Sequence, residues 1–126
     1  MMGRDMVDES VITAALVELD GIANAPMTAE QRLTRAKPVL AAPGLTLGDL
    51  TDAIVSPALP WNAGKAAEHS LTQEQWQEAI TLSGVAGSAD LGAFMDLLHR
   101  AESAANMLRA GYAGKRSASG EIAWSR

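Results

Sequence analysis

The stretch from Thr72 to Gly111 constrains this chain most, because it holds two amphipathic helical patterns joined by a glycine-marked turn. Thr72 and Gln75 stand at capping-box spacing, so the threonine hydroxyl can accept from the N–H three residues on while the glutamine reaches back. Glu74 suits the positive end of that helix's dipole. Trp76, Ala79, Ile80 and Ser83 follow at spacings of three and four and share one face. Gly84 is placed to end the helix in a left-handed turn.

Beyond Gly87, the spacing predicts a second helix with Ser88 as its cap and Asp90 in its first turn. Its stripe of Leu91, Phe94, Met95, Leu98, Ala101, Ala105 and Leu108 is the longest clean amphipathic pattern in the sequence, and Gly111 is its stop. Burying each large residue of the stripe contributes roughly 1.5–3 kcal/mol, so the stripe must face a core or a partner.

The remaining sequence reads as helical too. Alanine is abundant, aromatic residues make up only 4% of the chain, and no β-branched run alternates as a strand would. Asp5 or Asp8 is expected to cap a first helix running to about Ala23. Val11, Ile12, Ala15, Leu16, Leu19 and Ile22 mark its inner face, and Glu9, Glu18 and Asp20 lie off it. Met1 to Arg4 is a loose start. Asn24-Ala25-Pro26 breaks the first helix.

Thr28 and Gln31 repeat the capping-box spacing ahead of Leu33, Ala36, Val39 and Leu40. Pro38 predicts that this helix either stops near Ala36 or kinks and resumes, since an interior proline costs about 3 kcal/mol. After the Pro43-Gly44 turn, Thr46 caps a short helix with a core face of Leu47, Leu50, Ala53, Ile54 and Val55. Pro57 and Pro60 predict an extended path from Ser56 to Asn62, with Leu59 and Trp61 tucked onto the core. Gly64 to His69 adds a turn of helix. An internal echo also stands out: Met27-Thr28-Ala29-Glu30-Gln31 resembles Leu71-Thr72-Gln73-Glu74-Gln75, and the same offset sets Leu47-Gly48 on Leu91-Gly92. Two helix–turn–helix units of roughly forty residues account for it; so does chance similarity between alanine-rich helices.

The final segment is rich in serine, glycine, alanine and basic residues, which predicts a flexible tail. Ile122 and Trp124 depart from that composition, as an exposed indole is the kind of anchor that fills a partner's pocket. The expected architecture is therefore all-α: a bundle of roughly four to six helices over residues 1–111 and an extended C-terminal arm over residues 112–126. Tyr112, Lys115, Arg116, Ile122 and Trp124 are the candidate partner-binding residues. Trp124 can instead fold back on its own core.

Charge and chemistry narrow the function. The net charge is −5. From Arg100 onward, Arg100, Arg109, Lys115, Arg116 and Arg126 outweigh Glu102 and Glu121 by three, which leaves the rest of the chain eight negative charges in excess. An acidic body disfavours nucleic acid and permits head-to-tail attraction between copies. The absence of cysteine excludes disulfides and thiolate metal sites. No apolar run approaches the ~20 residues of a membrane span, and the N-terminus lacks a signal-peptide core, so the expected compartment is the cytoplasm, or the virion for a phage component.

No residue pattern carries recognisable catalysis. His69 beside Glu68, and His99 between Asp96 and Glu102, read as surface pairs rather than metal ligands or acid–base groups. Asp49 with Asp52 and Glu74 with Glu78 read as cap and solvent-face carboxylates. Residues 84–88 lack the lysine of a phosphate loop. Arg32, Arg35 and Lys37 balance the acidic first helix. The expectation is a non-enzymatic interaction or assembly protein with no cofactor and no metal: a subunit of a larger complex, by analogy a phage virion or assembly component, or a protein inhibitor. It acts on a protein partner or on itself through the arm. The alternatives are a helix–turn–helix nucleic-acid regulator, against which Ala89 to Leu98 offers no basic residue, and a small enzyme or ligand binder using His99.

Overall fold

The structure, a computed structural model, describes residues 8–126. Six helices and one two-stranded sheet follow in order: α1 (Glu9–Ala23), α2 (Ala29–Ala41), α3 (Leu47–Ile54), α4 (Pro60–Glu68), α5 (Gln73–Ser83), α6 (Leu91–Arg109), β1 (Ala113–Arg116) and β2 (Ile122–Ser125). Met1 to Arg4 and the Asp5 cap lie outside the described residues. Asp8 caps α1, its carboxylate accepting from the Ser10 N–H at 2.8 Å.

Local sequence accounts for most helix ends. Thr28, Thr46 and Thr72 each form a reciprocal capping box, with Gln31, Asp49 and Gln75 respectively. At the C-terminal ends, Gly44, Ser70 and Gly111 take left-handed φ values of 73°, 57° and 95°. The residue after each one donates back five positions, to Leu40, Ala66 and Met107 respectively. These are Schellman closures, and Ser70 adopts the conformation without glycine's freedom.

Several expectations need correction. Asp90, not Ser88, caps α6: its carboxylate accepts from the Ala93 N–H, while the Ser88 hydroxyl donates to the Val85 carbonyl inside a 3-10 turn at Val85–Gly87. The segment around Pro57 and Pro60 is not extended throughout. Pro60 opens α4, because a first-turn proline gives up no needed N–H and already has helical φ. Of the two outcomes Pro38 left open, α2 does not stop near Ala36 but runs on to Ala41, with Pro38 on its exposed side. Val55 is 49% exposed rather than part of the core face. Asp20 does not lie off the inner face: its side chain is 13% exposed and turned toward α4.

The α5–α6 pair is the central hairpin of the bundle, with α1 and α2 packed on α6 and α4 packed on α5. Leu16, Leu19, Leu50, Ile54, Trp76, Ile80, Phe94 and Leu98 are fully enclosed. Leu59 and Trp61 are buried as their sequence context implies. The offset that aligns Thr28 with Thr72 also aligns the first residues of α3 and α6, Leu47 and Leu91. Their packing differs, as α2 rests on α1 and α6 whereas α5 rests directly on α6.

Candidate functional site

The C-terminal segment is not the flexible tail that composition implies. It forms an antiparallel hairpin in which Ala113, Gly114, Lys115 and Arg116 face Ser125, Trp124, Ala123 and Ile122 respectively. Gly120 N–H donates to Ser117 at 3.0 Å, Ser117 N–H donates to Glu121 at 2.8 Å, and Gly120 has φ +90°. This is a three-residue loop with a glycine bulge, which tightens the right-handed twist of the pair.

The hairpin is fastened to the helices along one face. Ile122 and Trp124 pack against the core, and β1 lies on α5 and α6. A side chain on Gly114 would meet the Trp124 ring at 2.7 Å and a Leu82 methyl carbon at 3.0 Å, so the indole rests against bare backbone. Arg100 of α6 donates to the Gly120 carbonyl at 3.0 Å. The Arg126 guanidinium lies 4.7 Å from the Tyr112 ring centroid and donates to the Ala110 carbonyl. Arg116 spans the end of α5: a Cβ on Gly84 would fall 2.6 Å from its Nη2. A cation there suits the negative end of the helix dipole.

Of the five candidate partner-binding residues, Ile122, Trp124, Tyr112 and Arg116 thus have contacts within the chain, and Lys115 is exposed on the outer face. Trp124 and Ile122 remain only half-buried. With Arg100, Ser103, Ala104, Met107 and Glu121 they border an open groove of about 290 Å³ between β2 and α6. A larger groove of about 570 Å³ runs between α1 and α2, where Val11, Ala14, Pro38 and Val39 line it and Glu18 and Arg35 flank it.

Replacing Gly114 with alanine forces the indole to move. The Gly114→Ala protein is expected to keep its helical circular dichroism while Trp124 gains solvent, read as faster acrylamide quenching in a background where Trp61 and Trp76 stay buried. Unchanged quenching would mean that the hairpin does not depend on this close approach.

A second site lies in the bundle and joins residues distant in sequence. Lys65 of α4 is 6% exposed. Its ammonium lies 2.7 Å from Asp20 Oδ2 and 2.9 Å from Oε2 of both Glu68 and Glu102. His69 Nε2 is 3.0 Å from Glu102 Oε1, and the imidazole stacks on Trp76 at 5.8 Å with only 7° between planes. Trp61 meets Trp76 edge-on at 5.7 Å. Trp76 donates its indole N–H to Asn62 Oδ1 at 2.9 Å, and the Asn62 amide donates to the Ser56 carbonyl at 2.8 Å.

Electrostatics in this cluster follow from burial and pairing. Burial depresses the Lys65 pKa, but the hydrogen bonds it donates to Asp20, Glu102 and Glu68 outweigh that and hold the ammonium well above the ordinary lysine range. Burial pushes the Asp20 carboxyl up, against the downward pull of Lys65. Glu68 is held below its usual value chiefly by its hydrogen bond to Lys65. Glu68, His69 and Glu102 bring their donor atoms within 4.8 Å of one another, the spacing a cation needs. The Lys65 ammonium takes the point shared by both carboxylates, so the internal cation does electrostatically what a metal would do there.

His99 has no part in this cluster. It is exposed, and its Nδ1 lies 2.6 Å from Asn24 Oδ1, tying α6 to the end of α1. Glu102, which sequence spacing places beside His99, turns instead to His69 and Lys65. Sequence reasoning missed Asp20, Asn62 and Lys65 as a site. The one local signal was Lys65 followed by Glu68 and His69 at helical spacing.

These features define the class of protein: a six-helix bundle carrying a docked C-terminal β-hairpin, with a partly buried ion cluster between its helices. Among the described residues no helix is long and apolar enough to cross a membrane. No protein-family model, curated protein or solved structure matches the chain.

Proposed function

We propose that this protein acts by binding other polypeptide chains, as a subunit of a larger assembly or as a protein inhibitor, and that the C-terminal hairpin is its contact element. One observation carries this reading. The hairpin is pinned by Arg100, Arg126 and Trp124, so the half-buried faces of Ile122 and Trp124 are held beside a groove on α6. A contact surface ordered before binding loses little entropy on association. Apolar and aromatic side chains with a polar rim are what protein interfaces use at their centres.

The charge pattern favours protein over nucleic acid. Arg100, Arg116 and Arg126 are engaged within the chain, which leaves Lys115 and Arg109 as a weak basic field. The cytoplasm, or a phage virion, is the compartment this reading assumes.

Affinity capture from the native source tests it. The full chain should retain a discrete protein, insensitive to nuclease, and the Trp124→Ala variant should lose it while keeping the helical spectrum. Equal capture by both proteins, or capture abolished by nuclease, would overturn the reading.

A further inference from the structure

The partner chemistry can be read from the hairpin's outer edge. Ser117 N–H pairs with Glu121, and strand alternation then turns Ala123 and Ser125 toward β1. The backbone N–H and C=O groups of Ile122 and Trp124 therefore point to the opposite edge of β2. Proteins usually blunt such an edge with lysine, proline or a covering element. The β1 strand follows that rule, carrying Lys115 and Arg116 and lying on α5 and α6. The β2 strand, Ile-Ala-Trp-Ser, has no charge and no proline.

We infer that the β2 edge pairs antiparallel with β2 of a second copy of this chain, giving a four-stranded sheet about a two-fold axis at Ala123. This deepens the interaction reading above and rests on it.

Three features select that occupant and register. A two-fold axis at Ala123 sets Ile122 opposite Trp124 of the second copy, and these are the two residues whose backbone groups are turned outward. Both lie on the helix-facing side, so a β-branched residue meets an aromatic one, a favourable cross-strand pair. The strand is also bounded by charges, Glu121 before it and Arg126 after it. Antiparallel pairing sets Glu121 opposite Ser125 of the other copy and keeps like charges apart, whereas in-register parallel pairing would bring them together. Finally, the groove bordered by Ser103, Ala104 and Met107 runs along β2 and leaves an apolar floor beside the incoming strand.

Cysteine trapping in the full chain tests the register, since the natural sequence has no cysteine. Ala123 and Ser125 are both exposed on the outer face of the hairpin. At the axis, Ala123 faces its own counterpart in a non-hydrogen-bonded pair, about 4.5 Å between Cα atoms, close enough for a disulfide. Ser125 lies far from its counterpart. Ala123→Cys is expected to give a covalent dimer under mild oxidation, and Ser125→Cys is not.

Without oxidant, Ala123→Lys and Ala123→Glu should each weaken dimerisation about fivefold, and mixing the two should restore it. A monomeric Ala123→Cys protein, or equal cross-linking at both sites, overturns the self-pairing. If discrete capture of another protein through Trp124 persists in that case, only the identity of the partner is wrong. Loss of both results removes the interaction reading itself.

Discussion

Lys65→Met is expected to destabilise the fold by about 3–5 kcal/mol at neutral pH, since it removes one member of a buried ion cluster and strands the others. For a domain with roughly 5–15 kcal/mol in total, that is a large fraction. The methionine nearly matches the lysine stem in volume, so the loss is chiefly electrostatic. Asp20 and Glu102, each 13% exposed, would keep their desolvation cost without the ammonium that offsets it.

The effect has a definite pH signature. Asp20 is held up by burial and pulled down by Lys65. Without the lysine its folded pKa rises further above the unfolded value. An acid whose folded pKa is raised loses stability as pH climbs through that range and regains it as pH falls. The gap between the variant and the natural protein should therefore narrow from pH 7 toward about pH 4, where an ordinary carboxylate begins to protonate.

In the natural protein the raised Lys65 value acts in the other direction. Its contribution is complete below the unfolded lysine pKa and declines only as pH rises toward the folded value. Urea unfolding of both proteins at pH 4, 7 and 10 measures the narrowing at acid pH and should show no loss of the Lys65 contribution at pH 10, which is still below the unfolded lysine value. A deficit that stays constant with pH would show that packing, not charge, sets the cost.

Trp76→Ala should cost a comparable amount, about 3–5 kcal/mol, because it empties the centre of the bundle. Trp76 is fully buried between the His69 imidazole and the edge of Trp61. Neither neighbour can collapse freely, as His69 is held by Glu102 and the adjacent Asn62 by the Ser56 carbonyl. Trp76→Phe separates the two parts of the loss. It retains an aromatic plane but leaves the buried Asn62 oxygen without its donor, at a cost of about 1–3 kcal/mol. Thermal and urea unfolding check the order. If Trp76→Phe proves as damaging as Trp76→Ala, the hydrogen bond to Asn62 outweighs ring packing.

How much of this was legible depends on the range of the interaction concerned. The capping boxes at Thr28 and Thr72, the Thr46 cap and the glycine turns at 44, 84 and 111 are set by atoms within a few residues of one another, and the sequence announces them. The Leu91–Leu108 stripe needs only the helical period. Cap assignment at Ser88 and Asp90 went to the wrong residue because both can accept a hydrogen bond. The intervening 3-10 turn engaged Ser88 with Val85 and left Asp90 to start α6.

The hairpin shows a harder case. Gly114, Lys115 and Arg116 have little strand preference, and strands of four residues leave no alternation long enough to recognise. A loop of Ser-Ala-Ser-Gly before Ile-x-Trp was the available hint. Sheet formation depended on Trp124 finding Gly114 and Leu82 to cover, which is a tertiary event.

By itself, the sequence determined that the chain is helical, where most of its helices are capped and closed, and which faces they bury. Those outcomes rest on backbone hydrogen bonds and side-chain periodicities spanning a single turn. Tertiary structure alone decided that Asp20, Lys65 and Glu102 share one buried charge cluster, with Glu68 at its exposed edge, and that a polar, basic tail becomes a pair of strands on α5 and α6. Both outcomes require groups far apart in the chain to exclude water from each other, and local spacing carries no record of that.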